Sequence, residues 1–448
     1  MGWLHAAGNF AINLVNNTQD PNIKIYILIK GINPTTKKPT FIKFEKGAAA
    51  VGNYADIKLP DTDIKNPTRS LEYSYEHTAF KDTNGTCTLH VPYLESGRIY
   101  ICLNEKLKLP VLGTAPNLTI ADPNPFDEND PNYNHWYDKL EFFYLHRGSQ
   151  TMLSPSAIDY ISLPIAVSQK KMVQGQEIIG VHGIQTSRAS MFKTIESIIK
   201  QPSFSSEWQR LLIRNEDVIV RMVAPGKSDT FFDTHYLDDY ITALWTYYKD
   251  HTLTIDCKEL RSAVPGLGSY KYTGKVQKDD VFEFKNETGS SVVNIKKPES
   301  KHFFLATQGP FDAPANTVQA VIVRNICAAW SVGLLPVPEI HLATGSSSML
   351  GKEYYLHQKD NHNFYKENVL MSATGSHKPW YNLYAKALHA ISSNMYAWVY
   401  DDALGFEGTN ISTDAYPATI TIGPMKEAQG TPVAAKGQPA LAKEPKTP

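Results

Sequence analysis

An acidic side chain inside an apolar strand is costly to bury, so it has to face either a cleft or a partner of opposite charge. Two such acids stand eighteen residues apart in this chain, Glu141 and Asp159. Glu141 lies in the run Trp136-Tyr-Asp-Lys-Leu-Glu141-Phe-Phe-Tyr-Leu. Asp159 lies in Thr151-Met-Leu-Ser-Pro-Ser-Ala-Ile-Asp159-Tyr-Ile-Ser-Leu-Pro, and a short polar turn, His-Arg-Gly-Ser-Gln, joins the two. Both runs are strand-like, so each acid should face a cleft or a partner. Two carboxylates on neighbouring strands can divide general-acid and general-base work, as glycoside hydrolysis requires. A solvated strand face carries the same residues without any chemistry, so spacing alone does not decide.

Residues 20–165 are rich in strand signals. Asn22-Ile-Lys-Ile-Tyr-Ile-Leu-Ile alternates polar and apolar residues before becoming wholly apolar. Thr86-Cys-Thr-Leu-His-Val and Gly97-Arg-Ile-Tyr-Ile-Cys-Leu follow, separated by clusters of Pro, Gly, Asn and Asp. This pattern predicts a β-sandwich or barrel. The Pro/Asp/Asn stretch Asp122–Asn134 reads as a long loop that delivers the chain to the Glu141 strand.

From about residue 186 the period changes. Met191, Phe192, Ile195, Ile198 and Ile199 have helical spacing, with Ser187 or Ser190 as the cap. Asp217-Val-Ile-Val-Arg-Met-Val reads as a strand. Tyr236, Tyr240, Leu244, Tyr247 and Tyr248 mark a second amphipathic helix, and 318–335 a buried one. Met395-Tyr-Ala-Trp-Val-Tyr and Ala418-Thr-Ile-Thr-Ile return to strand character. The expected organisation is a β-domain from 20–180 and 395–423, with an α/β domain, 181–394, inserted into it. Residues 424–448 hold five Pro and no aromatic residue, a composition that predicts a disordered tail.

Composition narrows the partners. Among 448 residues, Lys plus Arg number 44 and Asp plus Glu 45, for a net charge of -1. A nucleic-acid or anionic-membrane protein normally carries a basic excess, so neither is expected as a partner, and a neutral polysaccharide fits. The 24 Tyr suit either stacking on sugar rings or packing in a sheet core. Cys87, Cys102, Cys257 and Cys327 form no CxxC or Cys/His cluster, which argues against zinc. Cys87 and Cys102 lie in adjacent strand-like runs, where a disulfide and two free thiols fit equally well. No basic segment followed by an apolar one opens the chain, and no stretch approaches the roughly 20 apolar residues of a spanning helix.

Gly226-Lys227-Ser228 resembles the end of a P-loop, but Arg221 stands where the first glycine is required. Gly266-Leu-Gly268 lacks a third glycine, and Gly345-Ser-Ser-Ser-Met misses the second glycine of a nucleophile elbow. No HExxH occurs. Nothing in the sequence calls for a cofactor.

Three ordered segments resemble glycoside hydrolase family 64, the thaumatin-like β-1,3-glucanases. The first is the Glu141 strand with Ala157-Ile-Asp159-Tyr-Ile-Ser-Leu-Pro164. The second is Arg221-Met-Val-Ala-Pro-Gly226 with the Tyr/Trp helix after it. The third is Tyr381-Asn-Leu-Tyr-Ala-Lys-Ala-Leu-His389 with Tyr396-Ala-Trp-Val-Tyr400-Asp401-Asp402. The resemblance implies a mainly β fold with an α+β part: a thaumatin-like sandwich or barrel domain and an inserted α/β domain, flanking a wide cleft for a long β-1,3-glucan.

It further implies an inverting endo-β-1,3-glucanase with Glu141 as acid and Asp159 as base, working outside the cell. The acid role asks for an apolar setting, which the neighbours Leu140, Phe142 and Phe143 would supply. Such a pair should stand roughly 6.5–9.5 Å apart. One of Asp401 and Asp402 would serve the cleft as a sugar-binding or supporting acid; a hairpin-turn pair fits the same two residues equally well. The sequence departs from the family at Phe143, where Thr is usual, at Ser154 and Ala157, where Asn and Gln are usual, and at Ser162, where Gly is usual. Phe143 and Ser154 thus occupy positions that help hold the glucan. The rival reading is a non-catalytic thaumatin-like β-1,3-glucan-binding or antifungal protein, and a structural or toxin-like interaction protein is a third.

Overall fold

Alternating burial builds the first strand, Asn9–Asn16, in which Phe10, Ile12 and Leu14 point inward. The computed structural model describes residues 9–45, 50–81, 86–146, 150–173, 176–200, 206–227, 229–257, 260, 270–312, 314–336, 339–340, 380–404, 406, 409–411 and 417–427. Among these, thirteen strands join in one sheet. Glu95–Leu103 lies antiparallel between Ile25–Ile32 and Trp136–His146, and Gln150–Pro155 continues the sheet beyond the latter. At the opposite end, Ala418–Ile422 runs parallel to Asn9–Asn16 and antiparallel to Ile165–Val173, which pairs with the edge strand Gln176–Gly183. The sheet curls until its ends nearly meet: a Cβ on Gly183 would lie 3.1 Å from the Pro155 ring.

Both faces of the central strands are covered, which is why they read as nearly continuous apolar runs. Ile99, Ile101, Leu140, Phe142 and Leu153 point to the inside of the curl with Ile27, Ile42, Leu89 and Ile420. Tyr100, Cys102 and Tyr137 point outward and share a second core with the helical part of the chain.

The periodicity in the second half gives the expected helices. Arg188–Ile199 is capped by Ser187, whose hydroxyl accepts the Ser190 N–H, and Asp238–Asp250 and Thr317–Ser331 follow. Val218–Val223 is a strand between Tyr160–Ile161 and Leu212–Asn215. A separate five-stranded sheet spans Leu253–Asp256, Lys271–Val276, Val281–Lys285, Ser291–Lys296 and Glu339–Ile340. The whole is mainly β, with few helices.

Two strand expectations change. Asp159 lies in a bend between the strands Gln150–Pro155 and Tyr160–Ile161 and not on a strand itself. Met395–Tyr400 is not a strand; only Tyr396 makes an isolated bridge, to Ser156. The cause is Asp401, whose carboxylate accepts the Ala397 and Trp398 N–H groups and bends the segment into a turn. All four cysteines are free and buried, which settles the Cys87–Cys102 alternative in favour of thiols. Residues 428–448 of the expected tail, and the glycine motifs at Gly266 and Gly345, lie outside the described residues. No described helix is long and apolar enough to cross a membrane.

Gly97 sits opposite Phe142, and a Cβ there would stand 2.5 Å from the ring. Gly97→Ala is expected to lower stability by about 1–3 kcal/mol through overpacking. An unchanged urea midpoint would contradict this packing.

Candidate active site

Strand alternation decides what surrounds Glu141. Leu140 and Phe142 point to the inner core, so they do not cover the carboxylate, and the apolar setting expected from its sequence neighbours is absent. Lys139, two residues earlier, shares Glu141's face and places its ammonium 3.5 Å from Oε1. Arg98, directly across on the neighbouring strand, brings its Nε to 3.6 Å. The Glu141 side chain is 37% exposed.

Asp159 is held by backbone links to three parts of the chain. Its carbonyl accepts the Ala224 N–H at 2.8 Å, which extends the pairing of Tyr160 with Val223. Two residues earlier, Ala157 donates its N–H to Tyr396 and accepts the Tyr384 hydroxyl at 2.6 Å. Three residues later, the Ser162 and Leu163 N–H groups reach the buried carboxylate of Asp138 at 2.8 and 3.0 Å. Full burial pushes the Asp138 carboxyl up to about 6, against the pull of these bonds and of the Lys139 N–H.

The Asp159 side chain, 29% exposed, is gripped at both ends. Lys139 Nζ lies 2.5 Å from Oδ2 and Lys227 Nζ 2.8 Å from Oδ1. Burial pushes this carboxyl up, but the two ammonium groups outweigh it and hold it well below the usual carboxylate range. Lys139 therefore touches both acids, and the two oxygens that share it lie within about 6 Å of each other.

A cleft of about 320 Å³ opens between the Asp122–Phe126 loop and Lys139, Asp159, Tyr160 and Lys227. The loop is one wall of the cleft. Asp122 pairs with Lys30 and Arg98 and accepts the Tyr100 hydroxyl at 2.5 Å. The far end of the loop is fixed by the buried Arg221, which donates to the carbonyls of Tyr133 and His135 at 2.8 Å and to the Tyr137 hydroxyl at 2.6 Å.

The structure thus brings Glu141 and Asp159 to one place. Ser154 stands across from Glu141 but is only 4% exposed, its hydroxyl bonded to the Pro155 carbonyl, so it offers nothing to a sugar. Ala157 and Ser162 are buried as well; Ser162 bonds to the Val220 carbonyl. All three side chains are buried inside the protein and not presented to the cleft. Phe143 pairs with Met152 through the backbone, and its side chain lies outside the described residues.

Asp401 is 0% exposed and bonded to His389, Ala397 and Trp398, so it braces a turn instead of binding sugar. That turn supplies the Tyr396 carbonyl to Ala157, and Ala397 and Trp398 line a small cavity beside Lys227. Asp402 pairs with Arg324 at 2.8 Å. Among the described residues no cluster of three or more His, Cys, Asp or Glu could hold a metal.

The sequence reading missed Arg98, Asp122, Asp138, Lys139, Arg221 and Lys227. Lys139 carried a usable signal, its i−2 spacing from Glu141 on a strand. Lys227 belonged to the failed P-loop match, where its glycine was weighed for phosphate and not for what the turn presents.

Comparison with known proteins gives the family to which this fold belongs. A family model described as beta-1,3-glucanase, glycoside hydrolase family 64, matches residues 8–422. Among solved structures, a laminaripentaose-producing beta-1,3-glucanase in complex with laminaritetraose superposes with a TM-score of 0.70 at 20% identity, covering 94% of this chain and 99% of that one. A family 64 beta-1,3-glucanase domain from Clostridium beijerinckii gives 0.64 at 21% identity, covering 93% and 98%. The laminaripentaose-producing enzyme of Paenibacillus barengoltzii gives 0.54 at 15%, covering 93% and 76%. No curated protein matches. The chain belongs to glycoside hydrolase family 64, the β-1,3-glucanases. It is a glycoside hydrolase of the glucan endo-1,3-β-glucosidase type.

Asp401→Ala removes the acceptor for two backbone N–H groups and His389, and is expected to cost about 2–4 kcal/mol of stability. Unchanged stability with a raised KM would return Asp401 to a sugar-binding role.

Proposed function

We propose that this enzyme cleaves internal bonds of β-1,3-glucan with inversion, Glu141 acting as general acid and Asp159 as general base. Glu141 gives its proton to the glycosidic oxygen as the bond to the anomeric carbon breaks. Asp159 takes a proton from the water that attacks the opposite face. The observation that carries this reading is the unequal charge around two carboxylates that share one ammonium. Among the described residues, Asp159 has two short contacts to lysines, whereas Glu141 has only longer ones to Lys139 and Arg98. Two acids in one site whose surroundings differ in this way take opposite roles.

The spacing adds a condition. An inverting pair stands roughly 6.5–9.5 Å apart to admit water. The oxygens sharing Lys139 lie within about 6 Å, so the reading includes an opening of the pair when glucan binds. The neighbours' bound laminaritetraose and named laminaripentaose product support an oligosaccharide of β-1,3-linked glucose as the ligand class.

The test is hydrolysis of laminarin by the wild type, Glu141→Gln and Asp159→Asn, with thermal unfolding measured beside it. Each variant should lose about 10²–10⁴-fold in rate while remaining folded. Proton NMR should show the α-anomer as the first product. A β-anomer would overturn inversion, and glucan binding by the wild type without release of reducing ends would overturn hydrolysis by this pair.

A further inference from the structure

We propose that Lys139 and Lys227 are positioning residues for the reaction, holding Asp159 by one oxygen each and so fixing the plane and the charge of its carboxylate. The inference rests on the assignment of Asp159 as the base. Lys139 arrives from the Trp136–His146 strand and is itself buried. Lys227 arrives from the other side, on a turn set by two features. The Ala224 N–H is bonded to the Asp159 carbonyl, and Gly226 has φ +78°, with the Phe304 Cβ only 2.8 Å from where a Cβ would stand. That turn has one geometry and brings the ammonium to Oδ1.

Among the described residues, no other group is hydrogen-bonded or ion-paired to the Asp159 carboxylate. Arg98 and Glu141 face the pair from adjacent strand positions, Asp122 lies across the cleft, and Tyr160 and Tyr384 border it. Without the lysines, a largely buried carboxylate surrounded by these groups would favour its protonated form, which is useless as a base. The folded-state titration of Asp159 is depressed, so its charge is present at ordinary pH and lost only as pH falls through that lowered value. Removing a lysine moves the loss to higher pH. Lys227 is the cleaner probe, because Lys139 also serves Glu141.

The experiment compares Lys227→Met and Lys227→Arg on laminarin across pH. It also follows the Asp159 carboxyl carbon by NMR, assigned with Asp159→Asn. Lys227→Met should raise the Asp159 midpoint and move the acid limb of kcat/KM upward by about one pH unit or more. Its kcat should fall about tenfold or more with little change in KM, and Lys227→Arg should restore both. An Asp159 midpoint and acid limb both unmoved in Lys227→Met would overturn the proposal. Full activity in Asp159→Asn would instead overturn the base assignment, and the NMR midpoint separates the two failures.

Discussion

The carboxylate of Asp138 is the joint on which the site depends. It sits in the inner core, where an ionised acid is expensive, and is kept there by three backbone N–H groups, those of Lys139, Ser162 and Leu163. The last two belong to the segment that carries Asp159, and the first to the strand that carries Glu141. One buried acid therefore sets the distance between two half-buried ones. Because alternate strand residues face opposite ways, Asp138 can do this from behind while Lys139 and Glu141 face the cleft.

On the cleft side, charge alternates in space from Lys30 through Asp122, Arg98, Glu141, Lys139 and Asp159 to Lys227. An isolated buried lysine would be neutralised by desolvation; here each cation is flanked by acids, and burial and pairing largely offset one another. Removing one member exposes the others to an uncompensated charge, so the chain acts as a unit. Arg221 and Arg188 follow a different rule. They are buried against carbonyls and aromatic rings, Arg221 over Tyr137 and Arg188 over Trp136, and they fix backbone without taking part in this alternation.

The sequence disclosed several strands of the large sheet, the main helices and the two carboxylates, because each leaves a local mark, whereas the five-stranded sheet of residues 253–340 went unread. The period-2 and 3.6 patterns are written in consecutive residues, and an acid among apolar residues stands out at any strand position. What surrounds those acids was less legible. Leu140 and Phe142 adjoin Glu141 in sequence and are turned away from it in space, while Arg98 and Lys227 are distant in sequence and adjacent in the fold. Met395–Tyr400 looked like a strand because its residues are aromatic and apolar. A tertiary acceptor, Asp401, overrode that preference. Ser154 looked like a sugar-binding position because the family resemblance places it there, and a resemblance does not show that its hydroxyl is bonded to a carbonyl inside the protein.

The parallel pairing of Ile12 with Ala418 joins segments separated by roughly four hundred residues. A strand flanked by so distant a partner cannot be completed by local collapse, because the entropy of closing that loop is lost before any ladder hydrogen bond forms. During synthesis on a ribosome, Asn9–Asn16 emerges long before Ala418–Ile422, and among the described residues Cys87–Pro92 is its partner in the meantime. For that interval, one edge of the sheet stays open to any other strand that meets it, so the yield of active enzyme is governed by how this edge is shielded before the seam closes.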